Sequence, residues 1–150
     1  MRIGIVGSEA SKFTTLGERR AKEAIRTILS AEGVTHVVSG HCHLGGIDIW
    51  AEEIGVELGL TPLIFPPREL NWNNGYKPRN LQIARNSDIA YCISVDTLPD
   101  TYSGMTFKVC YHCAKNGRDG TNHVKSGGCW TVIQAIKMGK EGRWLTVENA

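Results

Sequence analysis

No stretch of this 150-residue chain approaches the run of about 20 consecutive apolar residues that a membrane span needs. The N-terminus, MRIGIVGSEASKF, also lacks the apolar core of a signal peptide, so a cytoplasmic, soluble protein is expected. Internal repeats, linkers and low-complexity tracts are absent, and the length suits one domain over residues 1–150 rather than two. Charge of one sign is scarce: 17 Lys and Arg stand against 15 Asp and Glu, for a formal charge of +2. That balance does not suit a duplex-binding surface, which carries a concentrated basic stripe, but it leaves room for one anionic ligand. Paired cysteines are missing too. There are five, an odd number, and the C-x2-C spacing in a chain without export signals favours reduced thiols or metal over a disulfide framework.

What the chain does contain is an alternation of short apolar runs and helical periodicity. RIGIVG (Arg2 to Gly7), HVVSG (His36 to Gly40), TPLIFPP, Ile89 to Val95 and RWLTVEN read as strands, and TFKVCYHC as one possible extra strand. Ala21, Ala24, Ile25, Ile28 and Leu29 define a helix over Glu18 to Glu32, with Gly33 as its C-cap. Ile47, Trp50, Ala51, Ile54 and Leu58 define a second, Leu81 to Asn86 a short third, and Val132, Ala135 and Ile136 a last. Pro66 and Pro67 end regular structure and open the polar loop RELNWNNGYKPRN. The expected fold is α/β, a Rossmann-like three-layer sandwich around a mostly parallel sheet of about five strands, because parallel neighbours need crossover connections.

In such a sheet the ligand crevice lies beyond the carboxyl ends of the strands, where helix N-termini also point. Gly7-Ser8 ends the first strand, Ser39-Gly40 the second, and Ser126-Gly127-Gly128 precedes the last helix. Small residues let backbone N–H groups approach a phosphate, so three such corners at one edge favour a phosphate-bearing ligand over simple tight turns. Arg79, forked and permanently charged, suits a phosphate or carboxylate. Asp48 either caps the second helix or receives a ribose hydroxyl, and His41 is a candidate contact at the second strand's end. Trp72 and Tyr76 could stack on a base or simply anchor their loop.

The segment CYHCAKNGRDGTNHVKSGGCW holds a possible metal site in an insertion of about residues 106–129. Cys110 and Cys113 form the first half of a tetrahedral set, and His123 and Cys129 complete it, with His112 as an alternative to His123. Four soft or borderline ligands favour structural Zn2+ over free thiols, or over a Cys129 that merely packs in the core. Cys92, inside an apolar strand, reads as a small buried hydrophobe.

The order of GS after the first strand, HVVSGHCHLGGIDIWAE, RNLQIARNSDI and SGGCWTVIQAIKMGK resembles the SLOG superfamily, from about Arg2 to Lys140. That group of Rossmann-like domains includes DNA-processing protein A and the Lonely Guy phosphoribohydrolases. The resemblance implies binding of a nucleotide or nucleotide-derived ligand and assembly into homo-oligomers; a non-catalytic sensor or sequestering protein is the first expectation. It places Ser39, Gly40 and Asp48, then Arg79 and Asn80, then Ser126, Gly127 and Gly128 at the ligand. Lonely Guy enzymes carry GGxGTxxE with a catalytic glutamate; here Cys129 takes the threonine position and Val132 the glutamate position. Valine cannot act as a general acid, so N-glycosidase activity would need Glu9, Glu52 or Asp48 instead. Single-stranded DNA binding, as in DNA-processing protein A, is the third expectation, with only NWNNGYKPRN to support it.

Overall fold

A computed structural model describes residues 1–150. Strands β1 (Arg2–Gly7), β2 (His36–Ser39), β3 (Thr61–Ile64), β4 (Ile89–Val95) and β5 (Glu141–Val147) form a single sheet ordered β3-β2-β1-β4-β5. Every neighbouring pair is parallel. The crossovers run through helices α1 (Thr15–Leu29), α2 (Ile47–Glu57), α3 (Lys77–Asn86) and α5 (Gly128–Lys137), while α4 (Tyr111–Ala114) is a single turn between β4 and α5. No helix is long and apolar enough to cross a membrane.

Alternation along the strands divides the core between the two faces of the sheet. Ile3, Ile5, Val37 and Ile93 pack with Ala21, Ile25 and Leu29 of α1 and with Ile47, Trp50, Ala51 and Ile54 of α2. Val6, Val38, Ala90 and Cys92 face the other way, against Ile83 and Ala84 of α3 and Cys129, Val132 and Ala135 of α5. The result is three layers, helices on both sides of a parallel sheet.

Element ends follow local chemistry. Helix α1 begins at Thr15, not Glu18, because the Thr14 hydroxyl accepts the Gly17 N–H at 2.9 Å and caps the first turn. It ends at Leu29 with Ser30 as its C-cap, and Gly33, at φ +84°, shapes the following turn rather than capping the helix. Helix α3 starts at Lys77, four residues earlier than the periodicity predicts. Trp72–Tyr76 form a π turn that runs into it, with the Asn71 side chain accepting the Asn74 N–H at 2.8 Å, and Pro78 sits in the first turn, where its missing N–H costs nothing. On α5, Ile136 is 45% exposed, so the packed face turns through Val132 and Ala135 instead. No strand forms over TFKVCYHC: the Cys110 N–H donates to the Gly120 carbonyl at 2.8 Å, and the chain coils into α4. Residues three apart in a strand point to opposite faces, whereas Cys110 and Cys113 point to one place.

The order of the strands sets the site. From β1 the chain moves outward through β2 and β3, then returns to the other side of β1 to lay down β4 and β5. Beyond the carboxyl ends of β1 and β4, where these two directions part, neighbouring crossovers leave a crevice.

Candidate functional site

A cleft of about 670 Å³ opens at that point, within the range of small-molecule sites. Its floor is Val6, Gly7 and the first residues of α5. Close approach there demands glycine: a Cβ on Gly128 would lie 2.9 Å from the Cys92 sulfur and 3.0 Å from the Gly7 nitrogen. At Gly127 a Cβ would meet nothing within 4 Å, so that residue faces open space in the cleft.

One wall carries Asp48 from α2 with Arg79 and Asn80 from α3. Arg79 is 9% exposed, and its guanidinium is held on several sides. Its Nη1 donates to the Gly40 carbonyl, its Nε donates to Asn80 Oδ1 at 2.7 Å, and Tyr76 lies beneath it with the ring centre 5.5 Å away. A Cβ at Gly40 would strike that guanidinium, so this glycine serves the arginine. Asp48 Oδ2 stands 4.0 Å from Arg79 Nη1. Burial pushes the Asp48 carboxyl up to about 6, against the opposing pull of Arg79 and the Cys42 N–H. The carboxyl is thus held well above the ordinary aspartate range, in a cleft that also holds a fixed cation.

The second wall is aromatic: Trp72 from the π turn meets Trp130 of α5 edge to face, ring centres 4.8 Å apart. Trp130, Gln134 and Lys137 form a stripe at helical spacing along the cleft side of α5. The third wall belongs to the Cys/His segment, which contributes Tyr111, His112, Lys115, Asn116 and Lys125. Neither the stripe nor the three lysines is among the sequence candidates. The stripe was readable as a Trp, Gln and Lys set at i, i+4 and i+7; Lys115 and Lys125 carry no local signal.

Of the eleven residues proposed for the ligand, Gly7, Asp48, Arg79, Asn80, Gly127 and Gly128 line the cleft. The other five lie outside it. Ser126 is buried with its hydroxyl turned inward, accepting the Gly128 N–H at 3.2 Å and the Cys92 thiol at 3.7 Å. Ser39 is buried and donates to the Asp48 carbonyl at 3.0 Å. Gly40 gives its carbonyl to Arg79, and Ser8 is buried, its backbone tied to Ile93 and Ile47. His41, at φ +51°, swings out to Glu52, 2.9 Å away.

The four metal candidates come together. Cys110, Cys113, His123 and Cys129 are all buried and unpaired by disulfides, and their ligand atoms lie within 4.8 Å of one another, close enough to hold a metal ion. His123 Nε2 is 3.6 Å from the Cys113 sulfur and 3.7 Å from the Cys129 sulfur. A tetrahedral ion with ordinary zinc–sulfur and zinc–nitrogen bonds would place those atoms about 3.6 Å apart. The other ring nitrogen, Nδ1, pairs with Asn122 Oδ1, which leaves the Nε2 lone pair facing the sulfurs. A hydrogen bond from the Cys129 thiol holds the Cys110 thiol below its ordinary value, while that same bond pushes Cys129 up. Behind them Cys92 lies 3.8 Å from the Cys129 sulfur, buried but outside the set of four. His112 is not in the cluster; it lines the cleft.

Cleft and cluster share a backbone. Cys129 follows Gly127-Gly128 directly, and Tyr111 and His112 lie between the first two ligands. Anything that grips the cluster also fixes the floor and one wall of the cleft.

No family model matches the chain, and neither does any curated protein or solved structure.

Proposed function

We propose that the protein binds a nucleotide or nucleotide-derived phosphate ligand in the cleft beyond β1 and β4, as a sensor or sequestering protein. The observation that carries this reading is the lining itself: a fixed guanidinium and three lysines, the open start of a helix at Gly127, and two tryptophans converge on one space. A phosphate finds cations and backbone donors there, and a base finds a ring to stack on. The cluster of Cys110, Cys113, His123 and Cys129 holds structural zinc in this reading, since three thiolates and an imidazole suit that ion and leave no open position for chemistry.

Two measurements test it. Denaturing the purified protein should release a phosphate-bearing nucleotide derivative, identified by mass spectrometry, or calorimetry with a nucleotide panel should find one that binds. Failure of both would overturn the assignment. Elemental analysis should give one zinc per chain.

Asp48 supports a second reading, an N-glycosidase acting on a nucleoside monophosphate. Val132, at the position that resembles the Lonely Guy glutamate, is fully buried and cannot serve. A carboxyl held at about 6 beside the cleft can hold a proton for a leaving base near neutral pH. Release of free base from a nucleotide panel, lost in Asp48→Asn, would establish turnover; inactivity across the panel leaves the binding role alone.

A further inference from the structure

A second groove, of about 770 Å³, adjoins the main cleft, and Arg79 lines both. The π turn Trp72–Tyr76 runs between them, offering Trp72 and Tyr76 to the cleft and Asn73, Asn74 and Gly75 to the groove. Arg68, Lys77 and Arg85 supply the groove's other cations, and Glu69 is its one acid, already accepting a hydrogen bond from Asn71 at 2.8 Å.

The charge of the molecule is gathered here. Together the two spaces take seven of the 17 Lys and Arg residues but only two of the 15 Asp and Glu. Of those seven, Arg79 alone has a carboxylate within 4.0 Å. Six cations without a carboxylate partner border the two adjoining spaces, a concentration of positive potential that draws an anion. The two spaces also differ in kind. The cleft has aromatic rings; the groove has amides and cations but no aromatic side chain. A base can stack in the first, whereas the second suits phosphate and sugar.

We infer that the ligand is a linear, phosphodiester-linked dinucleotide, with one nucleotide in the cleft and the phosphate and sugar of the next in the groove along Arg68, Lys77 and Arg85. Arg79 stands at the junction, its Nη1 and Nε occupied by the protein and its Nη2 without a partner in the chain, so it can donate to the bridging phosphate. The second base then has no stacking partner, because the groove has no aromatic side chain. This rests on the nucleotide reading of the cleft and extends it.

The test compares 5′-monophosphates of the four nucleosides with the matching 5′-phosphorylated linear dinucleotides, by calorimetry at several salt concentrations. The dinucleotide carrying the preferred first base is expected to bind at least tenfold more tightly than its mononucleotide. The logarithm of its affinity should fall more steeply with the logarithm of salt, by about 0.7 for each added phosphate contact. In the Arg68→Ala/Arg85→Ala variant, which changes two exposed side chains outside the cleft, that advantage should disappear while mononucleotide affinity stays. Equal affinity for both lengths, or an advantage that survives the double substitution, overturns the inference and leaves the cleft reading standing. Binding of neither ligand overturns both.

Discussion

The two faces of the sheet are closed by different chemistry. On the α1 and α2 side the core is aliphatic and aromatic, Ile3, Ile5 and Ile93 against Ile25, Leu29, Ile47 and Trp50. On the α3 and α5 side the apolar packing is lighter, and it runs directly into sulfur: Cys92, Cys110, Cys113 and Cys129 belong to the same buried cluster as Val6, Val38 and Val132. The first layer needs only the removal of apolar surface from water. The second also buries four ligand atoms, three sulfurs and an imidazole nitrogen, close enough together to hold a metal ion. Stability and site formation are thus assigned to opposite faces, and they should be separable.

The sharpest way to break that division is at the ligands. Cys110→Ser is expected to take the metal content from one ion per chain to none, and to remove amide-exchange protection over residues 105–130 while the strands stay protected. Loss of protection throughout would show that the faces are not independent. On the opposite side, Ile25→Ala should cost about 2–5 kcal/mol of global stability in denaturant titration, with the folded fraction still holding its metal.

Asp48 tests the rim between the faces, since it sits on α2 yet looks into the cleft. Its carboxyl is raised above the ordinary value, so the folded state holds the proton more tightly than the unfolded chain. Stability should therefore fall as pH rises from about 4 to about 6, and level off above. Asp48→Asn should flatten that slope and be the more stable form above pH 6, as followed by thermal melts across the range. The smallest effect concerns Asn122, which orients His123 without being a ligand. Asn122→Ala should weaken metal affinity about 10–100-fold in competition with a chromophoric chelator, leaving the melting of the α1 and α2 face unchanged.

Much of this was legible beforehand because period and spacing are local. Five strands and four crossover helices follow from apolar runs and from repeats such as Ala21, Ile25 and Leu29. The metal set follows from C-x2-C with a histidine and a cysteine downstream. The direction in which a small residue turns its side chain was not legible: Ser39, Ser126 and Gly127 look alike as turn residues, yet only Gly127 opens on the cleft. That outcome depends on which neighbour offers a partner, as Gly128 and Cys92 do for Ser126. Nor could a near-neutral composition reveal the concentration of cations. Arg68, Lys77, Arg79, Arg85, Lys115, Lys125 and Lys137 are scattered along some seventy residues, and only the fold collects them. The extra strand expected over TFKVCYHC failed for a related reason, since convergence of two thiols outweighed an alternating apolar pattern.

The segment that forms the third wall has only the four-residue helix α4 as regular structure of its own. Its three thiols and imidazole, buried side by side, are what a metal ion would grip. Growth medium, chelating buffers and metal-affinity resins therefore become variables of any binding experiment. A preparation stripped during purification would look inert toward every compound offered to it, for a reason unrelated to those compounds.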